Sequence, residues 1–419
     1  MLDIFQSLLG ILVLIALGHI FRQQHRVPQW RMILVSLGMQ FVIALLCFKF
    51  PYFQNVLQVL NSLVSAVDMA TQAGTGMVFG FLGGGPAPFE VTQPAYGFVL
   101  AFRALPIVLV FSVLSAVLWH WGVLRWVIRG FARVLEKSFH LGGAVGFGSA
   151  SSIFVGMVEA PLLVRPYLRT MSEGEMFVLM SCGMATVAGT VMGLYATILS
   201  AHLPDALGHI LIASVISAPA AIMYALIMRP ITHHTAHDDT QETHHYHSTM
   251  DAISKGTSDG LQLLLMIIAM LIVFVALVSL VNQVLALLPM IDGNAVTLQR
   301  ILGLLFAPLA WLIGIPWAEA QTAGQLLGTK TILNELLAYI ELSQLDASQI
   351  SDRSRLILTY ALCGFANFGS LGILVGGMTA MCPERRLDIL RLAPLSLVSG
   401  TLATCTTGAI VSLLVPVAG

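Results

Sequence analysis

Gly156-Met157-Val158-Glu159-Ala160-Pro161-Leu162-Leu163-Val164-Arg165-Pro166-Tyr167 closes a stretch, 141–166, that is otherwise glycine, serine and apolar residues. Pro161 removes a backbone donor and works against a continuous helix. The stretch therefore reads as two half-helices meeting at a turn, a re-entrant hairpin with Glu159 inside it. Backbone leaves the helix at membrane depth only where protein or a water-filled cavity satisfies its polar groups. A second stretch, 300–340, has the same character. It runs apolar from Ile301 to Ile315, breaks at Pro316-Trp317-Ala318-Glu319, and continues through Lys330 and Glu335.

The rest of the chain supplies the membrane. Of 419 residues, 57% are hydrophobic and 10% are charged, against about 25% charged in soluble domains. Disorder is excluded by the apolar content. A nucleic-acid partner is not expected, because 20 basic residues face 21 acidic ones and no basic face emerges. Eight runs have the length and apolarity of a membrane crossing, 4–21, 32–48, 97–121, 175–199, 207–228, 261–288, 356–381 and 393–417. No small-residue cleavage site follows the first run, so it reads as a span and not as a removable signal. Residues 51–75 place Val56, Leu57, Leu60, Leu63, Val64 and Val67 at helical spacing among polar residues, as an interfacial helix or a subunit contact does. A Gly/Pro loop, 83–88, follows. The five cysteines show no metal-ligand spacing and read as small buried hydrophobes.

With the first loop (Arg22, Arg26, Arg31) in the cytoplasm, most of the basic residues fall inside, among them Arg125, Arg129, Arg133, Lys137, Arg165, Arg169, Arg229, Arg385, Arg386 and Arg391. Both termini are then external. Hairpin 141–166 with spans 175–199 and 207–228 enters from inside, and hairpin 300–340 with spans 356–381 and 393–417 enters from outside. Opposed units of this kind are the inverted repeats of secondary transporters, whose site lies at the midplane. The expected class is an all-α polytopic membrane protein with eight transmembrane helices, two opposed re-entrant hairpins, an interfacial helix and an inverted repeat. The expected divisions are a scaffold over 1–139, a first transport repeat over 140–228, a His-rich cytoplasmic loop over 229–260, a scaffold span over 261–299 and a second repeat over 300–419.

An intramembrane carboxylate costs at least ~2.5–3.5 kcal/mol and marks a functional candidate. Glu159 and Glu335 qualify, one per hairpin; burial as neutral acids or pairing with Lys330 is the structural alternative. Glu319 reads as a solvated hairpin tip. Asn367 and Ser370, three residues apart, share a helix face among Gly364, Gly369 and Gly372. Thr186 and Thr190 hold the equivalent place in the first repeat. Helix packing through small residues accounts for the threonines, whereas the four hydrogen-bonding sites of the Asn367 amide call for a polar cavity. His233, His234, His237, His244, His245 and His247 bring half of the 12 histidines into one loop. Metal binding or pH sensing is one reading; a solvated loop is favoured, since Asp238, Asp239 and their polar neighbours impose no fixed geometry.

Four of these segments carry a family resemblance that runs through essentially the whole chain. Gly156 to Tyr167 resembles the GQTEAPLLVRPY hairpin of the concentrative nucleoside transporters, and Ala185 to Gly193 is similar to their ATIAGSVMG segment. Gly328-Thr329-Lys330 through Asn334-Glu335 and Ala338-Tyr339 resembles their second hairpin arm. Ala361 to Gly377 is close to their ALCGFANFSSIGIxxGG. The resemblance implies that Glu159 helps bind a nucleobase, that Glu335, Asn367 and Ser370 hold ribose hydroxyls, and that Phe365 and Val191 line the pocket. It also implies a homotrimer, with part of the contact in 51–75.

Three positions depart from the family. Met157 and Val158 replace a glutamine and a threonine beside Glu159, so base recognition would rest on Glu159 and apolar contact. Ser152 stands where sodium-driven members place a sodium-ligating asparagine. Thr186 keeps a hydroxyl beside the Val187 carbonyl, and Val155 joins them in the ion-coupling set. Losing the amide oxygen weakens a cage for a hard cation. Proton coupling through Glu159 or Glu335 is therefore expected over a weak sodium site at Ser152 and Thr186. The expected function is an ion-coupled symporter importing nucleosides or nucleoside-like ribosides across the inner membrane by alternating access, without a cofactor, in the lipid bilayer. The alternatives are the same scaffold carrying another polar solute, or a membrane-embedded enzyme using Glu159 and Glu335; no catalytic motif accompanies them, and a non-enzyme is expected.

Overall fold

A computed structural model describes residues 2–22, 30–90, 99–200, 202–203, 205–235, 246–290 and 295–415. Every regular element among them is helical. The first third contains α1 (Leu2–Ile20), α2 (Trp30–Lys49), α3 (Pro51–Phe79), α4 (Leu100–Arg103), α5 (Ile107–His120) and α6 (Val123–Phe139). Pro51 opens α3 at a position where the missing N–H costs nothing. The basic segment between the apolar run 97–121 and the stretch 141–166 is itself a helix, α6. Ile128, Ala132, Leu135 and Phe139 bury one face while Arg125, Arg129 and Arg133 ride the other.

Two units of similar order follow. The first contains α7 (Gly143–Ser151), α8 (Glu159–Leu163), α9 (Glu173–Ala185), α10 (Gly189–Leu199) and α11 (Ala206–Met228). The long α12 (Thr249–Leu285) separates it from α13 (Leu298–Leu312), α14 (Trp317–Ile332), α15 (Glu335–Gln344), α16 (Asp352–Leu362), α17 (Phe368–Met381) and α18 (Arg386–Leu414). The sequence runs 175–199 and 356–381 are not continuous helices. The first is interrupted between Ala185 and Gly189, the second between Leu362 and Phe368. Among the described residues, six helical segments, with the α4–α5 and α9–α10 pairs each taken as one, are long and apolar enough to cross a membrane, and the bent pair α13–α14 brings the number up to seven. α1 and α17 are shorter apolar helices.

The expected break at Pro316 is present as a bend of 116° between α13 and α14. These two helices pack closely, and a methyl group on Gly324 would meet the Gly303 carbonyl oxygen at 2.5 Å. A second break, at Leu333 and Asn334, makes Glu335 the first residue of α15. Glu159 is likewise the first residue of α8. Each carboxylate thus begins the returning arm of a broken segment, which hydropathy does not reveal for the second. Glu319 lies in the first turn of α14, where an acid suits the helix dipole, and accepts from the Ser351 hydroxyl at 3.1 Å.

The interior is built from α9, α11 and α18, whose apolar faces are almost wholly buried, whereas α12 is mostly exposed. Hydroxyl pairs tie these helices together, Ser217 with Thr407 at 2.9 Å and Tyr224 with Thr406 at 2.7 Å. Glycines allow close approach elsewhere. A Cβ on Gly256 of α12 would lie 2.9 Å from Val113 Cα of α5. Cys182, Cys363, Cys382 and Cys405 are buried and Cys47 is half-buried.

Candidate functional site

The two interrupted segments meet in the interior. The Phe365 amide donates to the Thr186 carbonyl at 3.3 Å, and a methyl on Gly364 would press on the Ala185 carbonyl at 2.9 Å. Beside this crossing lies a cavity of about 190 Å³. Glu159, Met157, Val158, Val191, Glu335, Phe365, Asn367 and Ser370 all line it, so every side chain expected to bind substrate reaches one space.

Glu335 is buried and held at both oxygens. Tyr195 Oη donates to Oε1 at 2.6 Å and Asn367 Nδ2 donates to Oε2 at 2.8 Å. The same Asn367 caps α17, its Oδ1 accepting the Ser370 amide at 2.7 Å. Asn334 caps α15 in the same way, accepting the Leu337 amide at 2.9 Å. Two helix N-termini, with their partial positive charge, thus flank the Glu335 carboxylate. Such an arrangement presents a doubly oriented acceptor to a ligand's hydroxyl donors.

Among the described residues, Lys330 forms no ion pair with Glu159 or Glu335. Its ammonium donates to the Ala361 carbonyl at 3.2 Å and to Thr404 Oγ1 at 2.8 Å, at the C-terminal end of α16. That carbonyl has no intrahelical donor, and a cation there also meets the negative end of the dipole. Lys330 therefore closes the broken helix on one side while Asn367 opens it on the other.

Glu159 is exposed into the cavity and folds back over Gly156, where any Cβ would collide with its Oε2. Its neighbours Met157 and Val158 pack on glycines of other helices. A methyl on Gly183 would touch Met157 Cβ at 3.1 Å, and one on Gly377 would touch Val158 Cγ1 at 2.7 Å. Thr190 lines the cavity. Thr186 does not; it is buried in the break, its hydroxyl donating to the Ser152 carbonyl at 2.6 Å and the Cys182 carbonyl at 2.8 Å. The Ser152 hydroxyl donates to the Gly148 carbonyl at 3.1 Å, and the Val187 amide to Ser214 Oγ at 3.2 Å. Ser152, Thr186 and Val187 are thus brought together. Val155 follows at the end of the α7 turn, its amide on the Ser151 carbonyl.

Sequence reasoning missed Tyr195, Asn334 and the wall supplied by α12. Leu263, Met266, Ile267, Met270, Leu271 and Phe274 form that wall. Tyr195 lies one helical turn beyond Val191, and that spacing was legible. The α12 stripe was not, because every face of its outer half is apolar. His237, His244 and His245 lie outside the described residues. His233 bonds the Thr170 carbonyl at 3.0 Å, and no cluster of three or more metal-ligating His, Cys, Asp or Glu occurs among the described residues.

The chain is similar to known nucleoside transporters. A family described as Na+ dependent nucleoside transporter C-terminus matches residues 209–412, its N-terminal counterpart matches 9–82, and a family described as nucleoside recognition matches 101–202. The chain is 33% identical to the nucleoside permease NupC of Helicobacter pylori over 98% of this chain and 97% of that protein. It is 32% identical to the mouse sodium/nucleoside cotransporter 1, covering 97% of this chain and 63% of that protein. It is similar to the solved structure of CNTnw in an inward-facing substrate-bound state, with a TM-score of 0.87 at 36% identity over 98% of both chains. A CNTnw variant in an intermediate state gives 0.90 at 35% identity, over 99% of this chain and 100% of that one.

Proposed function

The chain belongs to the concentrative nucleoside transporter family, and on that premise we propose that it imports nucleosides or nucleoside-like ribosides by alternating access, coupled to protons. It is a multi-pass membrane transporter and not an enzyme. The observation that carries the substrate reading is the Glu335 carboxylate, clamped by Tyr195 and Asn367 at the edge of an otherwise apolar cavity. A carboxylate so oriented accepts both hydroxyls of a sugar diol, and a site of this kind rejects analogues lacking them. Glu159 at the other end, beside Met157 and Val158, would take a single polar group of the base while the Met, Val and α12 side chains cover its faces.

Proton coupling is supported by the ion-site hydroxyls. Thr186 and Ser152 both donate to backbone carbonyls, and neither supplies the amide oxygen that a sodium cage would use. Glu159 or Glu335 would then carry the proton. In this reading both termini are external, the cell inner membrane is the location, and α7–α11 with α13–α18 move against a scaffold that includes α12. The protomers would assemble as a homotrimer, with α3 in part of the contact.

The test is uptake of a riboside panel into proteoliposomes under imposed proton or sodium gradients, with counterflow of labelled uridine. Uptake driven by an inward proton gradient, with the solute recovered unaltered, supports the proposal. Accumulation that follows sodium alone overturns the coupling assignment. Absence of counterflow for every riboside would leave another polar solute as the cargo.

A further inference from the structure

A second, larger cavity of about 710 Å³ opens at one end of the bundle, far in character from the substrate site. It lies among the C-terminal ends of α1, α6 and α11 and the N-terminal end of α2. Arg22, Arg31, Lys137, His140 and His234 line it, and no acidic residue does so among the described residues. Three helix C-termini ordinarily explain cations by capping. Here the side chains of Arg22, Arg31 and Lys137 make no hydrogen bond to those carbonyls and no ion pair with a described residue, and Arg22 Nε is buried without a hydrogen-bond partner. A buried guanidinium nitrogen left unpaired costs free energy until an acceptor arrives. The backbone at His140 adopts φ 53°, the one positive value at a non-glycine residue among those described, where α6 ends and the chain turns along the cavity.

Apart from Ser138, the rest of the wall is apolar, with Met32, Val35, Phe139, Leu226 and Ile227 in it. Cations around an apolar floor match an amphiphile with an anionic head and a hydrocarbon tail better than a free ion. Basic pockets between transmembrane helices bind phosphate-bearing lipid headgroups by this chemistry. We propose that this cavity binds the phosphate of an anionic phospholipid, held by Arg22, Arg31 and Lys137, with the lipid's hydrocarbon against Met32, Val35 and Phe139.

The experiment uses the full chain, purified and stripped of lipid in detergent, and reads thermal unfolding. Phosphatidylglycerol is compared with phosphatidylcholine and with inorganic phosphate. Phosphatidylglycerol is expected to raise Tm by on the order of 3 °C more than phosphatidylcholine does. Lys137→Gln and the Arg22→Gln/Lys137→Gln pair should lose that increment, while Arg133→Gln, an exposed residue of α6 outside the cavity, should keep it. Native mass spectrometry of each variant reads bound lipid directly, so a variant of lowered stability still reports on binding. An equal, variant-sensitive shift from inorganic phosphate alone overturns the lipid as ligand and leaves free phosphate as the source. Equal shifts with the two lipids, or an increment unchanged by the substitutions, overturns the site.

Discussion

Asn367 serves Glu335 and its own helix at once: its amide nitrogen donates to Glu335 Oε2 at 2.8 Å while its amide oxygen caps α17 through the Ser370 amide at 2.7 Å. One side chain therefore sets both the start of a half-helix and the direction of the carboxylate proposed to hold a sugar diol. Separate substitutions should pull these two roles apart.

Glu335→Gln keeps the shape but removes the charge that strengthens each hydroxyl bond. Bonds to a charged acceptor contribute about 1.5–3 kcal/mol, so riboside affinity should fall roughly 10- to 150-fold. Titration calorimetry on purified protein reads this. A ribose diol that binds Glu335→Gln as tightly as the parent would show that the carboxylate does not hold it.

Asn367→Ser retains a side-chain oxygen for the α17 cap and loses the donor to Glu335. Tm should stay close to the parent while riboside binding weakens. Asn367→Ala removes the cap as well, with an expected further loss of about 0.5–2 kcal/mol in stability. Thermal unfolding and binding measured on both variants separate the effects.

Lys330→Met leaves the Ala361 carbonyl and the Thr404 hydroxyl without the donor each now has. The expected cost is about 1–3 kcal/mol, seen as a lowered Tm. Relief of the buried charge works in the opposite direction, so an unchanged or raised Tm would show that desolvation outweighs the two bonds. Lys330→Gln should recover part of the loss.

Gly324→Ala forces a methyl against the Gly303 carbonyl at 2.5 Å and the Ala307 amide nitrogen at 2.7 Å, both of them backbone atoms. Destabilisation by about 1–3 kcal/mol follows from overpacking. Gly376→Ala, with nothing within 4 Å of the added carbon, should be neutral or slightly stabilising. A pair of melting curves decides it.

Val158→Thr exchanges a methyl for a hydroxyl at nearly constant volume on the cavity wall beside Glu159. Uptake ratios between ribosides with different bases should shift by about 10-fold, since a site that bonds a polar group discriminates against its absence. Competition uptake with uridine, adenosine and guanosine measures the change. Equal ratios before and after would place the base away from this wall.

Much of this site was legible residue by residue. Glu159 stands out because a carboxylate beside Pro161 has no comfortable place in a spanning helix, and Asn367 with Ser370 because three-residue spacing puts them on one face. The second hairpin was read less well. Pro316 is the visible helix breaker and does bend the chain, but the break at Leu333 and Asn334 carries no proline or glycine. It exists because Asn334 caps α15, an event that a hydropathy profile does not register. Helix α6 has no apolar run of its own, because its basic residues alternate with an apolar stripe of helical period.

Amino-acid order alone determined the membrane class, the two intramembrane carboxylates and the family motifs. Each of these follows from local facts: the cost of charge in hydrocarbon, the backbone chemistry of proline and the length of apolar runs. The tertiary structure decided the partners. Only folding brings Tyr195 from the first repeat to Glu335 in the second, sends Lys330 to the end of α16 and away from both glutamates, and turns one uniformly apolar face of α12 into a cavity wall. Those outcomes depend on which helix ends and faces meet, and contacts between residues 31 to 140 positions apart leave no periodic trace along the chain.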